Sequence, residues 1–193
     1  MRKRIAAHDY HSGNGASLQK ALEEGKRVVL LSAGPFAAKD VSWQLSVAGR
    51  TNGHLATVIA DHPLFADFPH NGYCGRQFEH MLNGSRSVLL DLQSLPHRPV
   101  LDIASAYKNA HREAMIAEYR VGKGKLLICS LHLTDTDPAA CWLKNRILSY
   151  GASSAFQPAQ TLSEEQFISL CKASPVVSEK NSNEARNKND ITA

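Results

Sequence analysis

The amino-acid sequence predicts an α/β domain with a mostly parallel β-sheet and an antiparallel hairpin at one edge. Short apolar segments with the length of buried strands begin near residues 28, 55, 87, 114 and 125. Helical patterns or loops rich in turn residues separate most of them, and this alternation is typical of α/β domains. The chain has 193 residues and is 43% hydrophobic, which suffices for one core and a tail.

A short amphipathic helix and a buried strand begin the predicted domain. Apolar residues recur at helical spacing between Ser17, which has the side chain of an N-cap, and Gly25. The continuous apolar run at residues 28–31 then predicts a buried parallel strand. We expect this helix and strand to form one α/β unit.

Ser32 follows this strand and is a candidate catalytic nucleophile. A serine on a sharp turn at the end of a strand exposes its hydroxyl and points backbone amides at an oxyanion. The full Gly-x-Ser-x-Gly pattern is absent, because Leu30 replaces its first glycine and Gly34 alone matches. The alternative is an ordinary loop serine.

The middle of the chain contains candidate ligand-binding residues. Residues 39–48 alternate apolar and polar side chains, which fits a strand or an irregular segment, and residues 55–59 form a second apolar strand. The acidic, proline-bounded loop that follows contains His62, a candidate ligand-binding residue or part of a structural cover. Tyr73 could stack on the face of a sugar or pack in the core.

Further secondary structure is predicted up to a central hairpin. A short helix is expected at residues 76–82, a strand at residues 87–92, an extended segment at residues 96–102 and a polar connection at residues 103–111. Strands at residues 114–121 and 125–131 flank a Gly-Lys-Gly turn and form the hairpin.

Polar residues follow the second strand of the hairpin. His132, Asp135 and Asp137 precede a helix that begins at Pro138 and ends at Gly151. Open α/β sheets bind ligands outside the carboxyl ends of their strands, so His132 and Asp135 are candidate catalytic residues and Asp137 a candidate ligand-binding residue. The alternative is that both aspartates serve the turn and the helix cap only.

Four segments are expected. Residues 1–16 form a flexible N-terminal segment, residues 17–158 the α/β domain, residues 159–172 a short C-terminal helix and residues 173–193 a disordered tail. The first segment contains two histidines and an aspartate, but its glycines indicate a mobile loop and we expect no metal there. The start is abrupt, and the domain is expected to lack N-terminal elements.

Composition argues against several classes of function. The net charge of +4 is mild and no basic stripe is interleaved with aromatic residues, so nucleic-acid binding is not indicated. No signal peptide or membrane-length apolar run is visible, so the chain as it stands is expected to be cytoplasmic and not membrane-bound. Four cysteines lack metal-ligand spacing; Cys129 and Cys141 are expected to be buried thiols. No cofactor is predicted.

The order of three blocks resembles a known family. The blocks are ALEEGKRVVLLSAG, then DHPLFADFP, then EYRVGKGKLLICSLHL with PAACWLKNRILSYGAS. They resemble class I glutamine amidotransferase-like domains attached to bacterial glycoside hydrolases, including family 2-like, β-galactosidase-like and rhamnosidase-like proteins. The resemblance covers about residues 18–158 and implies a flavodoxin-like three-layer fold.

The resemblance also implies that the amidotransferase chemistry is lost. Members with that activity use a cysteine at a glycine-flanked elbow and a histidine paired with a glutamate. This chain has Ser32 at the expected elbow, and His132 lies near the expected histidine without a His-Pro-Glu sequence.

The first functional hypothesis is therefore a non-catalytic accessory domain that contacts carbohydrate or the catalytic domain of a glycoside hydrolase. Sugar contact would require solvent-facing Trp43, Tyr73 or Phe78 beside carboxylates. The alternatives are a small hydrolase that uses Ser32 or His132 with a nearby aspartate, and a structural module that oligomerises or binds another protein chain.

Overall fold

The computed structural model of the protein describes residues 6–7, 15–42, 53–106 and 110–172. The strands are β1 (Ala6–Ala7), β2 (Arg27–Leu30), β3 (Ala38–Asp40), β4 (His54–Ile59), β5 (Arg86–Leu89), β6 (Leu101–Ser105), β7 (Arg112–Val121), β8 (Gly124–Cys129) and β9 (Thr161–Leu162). The helices are α1 (Gly15–Glu23), α2 (Glu79–Leu82), α3 (Pro138–Ala152) and α4 (Glu164–Lys172), and 3₁₀ turns cover Pro63–Phe65 and Arg76–Phe78.

The prediction of a mostly parallel, flavodoxin-like sheet is wrong. The described strands form one mixed sheet in which five of eight pairings are antiparallel. The parallel pairings are β1 with β2, β2 with β8, and β7 with β9. An apolar strand that is covered on both faces has the same composition in either direction, so composition could not settle the direction of pairing.

The central strand β7 takes part in three of the five antiparallel pairings. It pairs antiparallel with β5, β6 and β8. The predicted hairpin of β7 and β8 therefore forms, but it lies in the middle of the sheet and not at one edge, so its predicted position is wrong. The extended segment and polar connection that the sequence predicted between residues 96 and 111 instead contain β6. The register between β6 and β7 shifts near Leu101, where a bulge interrupts the ladder.

Two apolar cores cover the two faces of the sheet. Helix α3 packs Leu143 and Ile147 against one face, together with residues of the 63–82 region. Helices α1 and α4 cover the other face and contribute Leu22 and Phe167 to its core.

Several predictions fall outside the described residues. These are the tail at residues 173–193, most of the N-terminal segment and the part of the alternating segment that contains Trp43. Within the described part of the chain, no helix is both long and apolar enough to cross a membrane.

Candidate functional site

An open groove lies between the loop at residues 67–77 and the first turns of α3. Its volume is about 660 Å³. Helix α3 begins where Asp137 accepts hydrogen bonds from the amides of Ala139 and Ala140, so the predicted cap is confirmed. This start places Trp142 on the outer face of the helix, beside the loop. The residues lining the groove are Asp67, Phe68, Pro69, His70, Asn71, Tyr73, Gly75, Gln77, Ala139 and Trp142.

Two exposed aromatic side chains line this groove. Trp142 is 43% exposed and Tyr73 is 52% exposed, so both rings leave apolar surface in contact with solvent. The Trp142 ring packs on Phe68 at a centroid distance of 5.2 Å, and Phe68 packs on the fully buried Phe78 at 5.1 Å. Trp142 is therefore held from behind by rings that belong to the core.

Polar groups lie beside the aromatic rings. Asp67 Oδ2 lies 3.3 Å from Nη2 of Arg146, and both side chains remain partly exposed. His70 Nδ1 accepts a hydrogen bond from the amide of Gly72 at 3.0 Å, so Nε2 carries the proton of the neutral ring. Gln77 donates to the carbonyl of Pro69 at 2.6 Å, which orients its amide at the rim. The groove therefore offers both donors and acceptors.

The candidate His62 lies in a neighbouring recess and not in the groove. Its Nδ1 accepts from the amide of Leu64 at 3.2 Å, and its Nε2 lies 3.5 Å from Oε1 of Glu118. Tyr150 donates to Oε2 of Glu118 at 2.9 Å. Burial first, and then the Glu118 charge, raise the pKa of Tyr150 above its ordinary value. This group is internally satisfied and braces the 3₁₀ turn at Pro63–Phe65 against α3.

The candidate catalytic residues Ser32 and His132 follow adjacent parallel strands. Ser32 is partly exposed after β2, and its Oγ accepts from the amide of Gly34 at 3.3 Å. His132 is exposed after β8, and its amide donates to the carbonyl of Met81 at 2.8 Å. Asp135 lies at the surface, 3.1 Å from Nζ of Lys144. The structure thus gives Asp135 a surface ion pair and Asp137 a helix cap.

Sequence reasoning missed a buried polar cluster around Glu113. Lys39 Nζ lies 2.9 Å from one carboxylate oxygen and His54 Nε2 lies 2.8 Å from the other. Ser87 and Ser105 also donate to this carboxylate. Each residue comes from a different strand of the antiparallel part of the sheet. The one available signal was that Glu113 directly precedes the apolar run at residues 114–117 of β7.

The cluster around Glu113 is structural. Burial raises the pKa of this carboxyl, but hydrogen bonds from His54, Ser105, Ser87 and Lys39 outweigh burial and lower it to about 2. Such a carboxylate is a poor general base near neutral pH, so it cannot activate either serine effectively.

The prediction that Cys129 and Cys141 are buried is right for one of them and wrong for the other. Cys129 is buried as expected, whereas Cys141 is partly exposed on α3. Burial, opposed by a backbone hydrogen bond from Leu131, raises the pKa of Cys129 to about 12, so its thiol stays protonated. Among the residues that the structure describes, no group of three or more histidine, cysteine, aspartate and glutamate side chains could hold a metal ion.

The fold and groove define a mixed α/β domain with an open, aromatic-lined site on one side of its sheet. The chain belongs to the family described as Domain of unknown function (DUF8487), whose pattern matches residues 12–172. Comparison with curated proteins gave no match.

Proposed function

We propose that this chain is a non-catalytic accessory domain of a glycoside hydrolase, and that it contacts carbohydrate through the groove between residues 67–77 and α3. The observation that carries the proposal is the pair of exposed rings, Trp142 and Tyr73, beside polar side chains in one groove. The resemblance of the sequence blocks to amidotransferase-like domains of glycoside hydrolases supports the same class of parent protein.

Carbohydrate chemistry fits such a groove. A pyranose has an apolar face of C–H groups and a rim of hydroxyls, so it needs an aromatic surface with hydrogen-bonding groups at its edge. Trp142 supplies a surface that Phe68 already holds in place, which reduces the entropy lost on binding. Asp67, His70 and Gln77 supply acceptors and donors at the rim.

The residues that line the groove favour binding of a sugar over cleavage of a glycosidic bond. Glycosidases generally need a pair of carboxyl groups separated by roughly 5 to 9.5 Å across the scissile bond. Asp67 is the one carboxylate among the described residues that line the groove, and Arg146 lies against it. This residue set can bind hydroxyl groups but does not supply both an acid and a base.

Calorimetric titration with soluble neutral polysaccharides and their oligosaccharides tests the proposal. Trp142→Ala should weaken binding by about tenfold or more, as expected for loss of an aromatic hot spot. Trp142→Phe should retain part of the affinity, because it keeps a ring. Leu92→Ala is the matched control, since Leu92 is 59% exposed and lies outside the groove. Binding that is insensitive to Trp142→Ala, or absent for every sugar class, would remove this proposal.

A small hydrolase is the second candidate, and the parallel pairing of β2 with β8 favours it. That pairing brings Ser32 and His132 to the same end of two neighbouring strands. The proposed aspartates already have other roles, which weakens a catalytic triad. Hydrolysis of activated esters that disappears in Ser32→Ala and His132→Ala, with folding retained, would favour this candidate over the accessory domain.

A further inference from the structure

We infer that the groove selects neutral glycans and discriminates against glycans that carry carboxylate groups. This inference rests on the proposed carbohydrate contact and adds the class of sugar. It arises from the charges that line the groove, which differ in sign from the charge of the whole chain.

The formal charge of the described lining residues is opposite in sign to the net charge of the whole chain. The whole chain has a net charge of +4, which would attract polyanions at long range. Among the described residues that line the groove, none is lysine or arginine, and the formal charge comes from Asp67. A uronate bound in the groove would therefore bring a second carboxylate near Asp67 without a lining cation to receive it.

Arg146 does not reverse this balance. Its Nη2 lies 3.3 Å from Asp67 and 2.9 Å from the carbonyl of Pro63, and its Nε donates to the carbonyl of Leu64 at 3.3 Å. These bonds direct the guanidinium toward the loop backbone and neutralise Asp67 in part. The remaining groups, His70, Asn71 and Gln77, are suited to hydroxyl groups, because each combines donor and acceptor atoms.

The expected selectivity follows from Coulomb interaction at a partly exposed site. A uronate should bind about tenfold more weakly than the neutral sugar of the same linkage, because the ion pair with Arg146 and the open solvent reduce the repulsion between the two carboxylates well below that of unpaired charges at a protein surface. Asp67→Asn should reduce that ratio to about one or below, since it removes the repelling charge and leaves the Arg146 guanidinium without its carboxylate partner.

Matched oligosaccharides provide the test. One series is neutral, and the other has the same backbone with its C6 hydroxymethyl groups oxidised to carboxylates. Both are titrated calorimetrically into the full chain, its Asp67→Asn variant and the control Asp61→Asn, at two salt concentrations. Asp61 is exposed and lies outside the groove, in the neighbouring recess. Thermal unfolding of each variant checks that it is folded.

The outcomes distinguish a failure of the inferred selectivity from a failure of the proposed carbohydrate contact. Preference for the neutral series that shrinks in Asp67→Asn but not in Asp61→Asn supports the inference. Equal or tighter binding of the carboxylated series, still lost in Trp142→Ala, overturns the selectivity and leaves carbohydrate contact standing. Binding of the carboxylated series that is unchanged in Trp142→Ala and is lost at the higher salt concentration is non-specific electrostatic attraction. If the neutral series also fails to bind, this result overturns both the selectivity and the proposed carbohydrate contact.

Discussion

Replacing Glu113 by glutamine tests whether the buried carboxylate is a main source of acid sensitivity in this domain. The Glu113 side chain is completely buried and is bonded to Lys39, His54, Ser87 and Ser105. The variant keeps the size of the side chain and removes its charge. It therefore leaves the Lys39 ammonium beside a neutral amide.

The contribution of Glu113 to the free energy of unfolding follows from its pKa, which is about 2 in the folded protein against an ordinary value of 4.5. Because the folded state binds this proton more weakly, the ionised carboxylate stabilises the protein fully above about pH 4.5. That contribution, about 3 kcal/mol, is lost as the pH falls toward 2. Between pH 7 and pH 3 the loss is about 2 kcal/mol. Glu113→Gln should cost about 3 kcal/mol or more at pH 7, since it breaks a buried pair.

Urea unfolding at several pH values between 7 and 3 measures this effect. The difference in unfolding free energy between the native chain and Glu113→Gln should narrow by about 2 kcal/mol at the acidic end. Carboxyls that do not interact with Glu113 titrate in both proteins and cancel in this difference. Asp102 does not cancel completely, because its pKa is raised mainly by burial and also by the charge of Glu113. Ser87→Ala is a milder variant that should raise the pKa of Glu113 and move the acid transition to higher pH.

Glu24→Gln is the matched control for this experiment. Glu24 pairs with Lys26 at the surface, where solvent screens the interaction, so its removal should leave the acid profile close to that of the native chain. A difference between the native chain and Glu113→Gln that stays constant from pH 7 to pH 3 would refute the depressed pKa. The carboxyl resonance of Glu113 followed by NMR gives an independent value.

Two further predictions concern the stability of the elements that frame the sheet and the groove. Asp137→Ala should cost about 1 kcal/mol in urea unfolding, because two amides of α3 lose their cap, whereas Asp135→Ala at an exposed ion pair should cost much less. Gly124→Ala should cost about 2 kcal/mol, since its Cβ would lie 2.7 Å from the backbone of Leu22 in α1. Gly72→Ala is the contrasting control: its Cβ meets nothing within 4 Å, so a cost of about 1 kcal/mol would come from its φ of +83°. Equal stability of the Gly124→Ala variant and the native chain would contradict the close approach of α1 to the hairpin.

Local sequence signals predicted most elements but not how they pair. The expected strands near residues 28, 55, 87, 114 and 125 correspond to β2, β4, β5, β7 and β8, and the helix after Asp137 is α3. These signals are local, because they depend on periodicity, apolar runs and caps. Strand direction depends on contacts between distant residues, and a buried strand such as β8 reads the same in a parallel or antiparallel sheet.

The strand β6 was missed for a related reason. Its sequence, Leu101–Ser105, is short, contains an aspartate and follows a proline-rich stretch. Ser105 points to the carboxylate of Glu113, so a polar residue there satisfies a buried partner and does not indicate a loop. The cluster could be recognised only after five strands had brought its members together.

The three aromatic candidates for sugar contact differ in position. Tyr73 is exposed in the groove, Phe78 is fully buried, and Trp43 lies outside the described residues. In the sequence, Trp142 is one of the apolar residues of the amphipathic helix α3. Helical periodicity could not show that it lies at the edge of the buried face, where Phe68 supports one side of the ring and solvent meets the other. Exposure at such an edge is set by the neighbouring loop, which has no periodic pattern.

Arg146 explains how an irregular loop can form one wall of a defined groove. The loop and α3 are distant in sequence, and the packing of Phe68 against Trp142 is one of the contacts that join them. Arg146, one turn beyond Trp142 on the same helix, bonds to the carbonyls of Pro63 and Leu64 and to Asp67. These contacts fix the start of the loop against the helix that carries Trp142. The two walls are therefore positioned in the free protein, which would lower the entropic cost of the proposed carbohydrate binding.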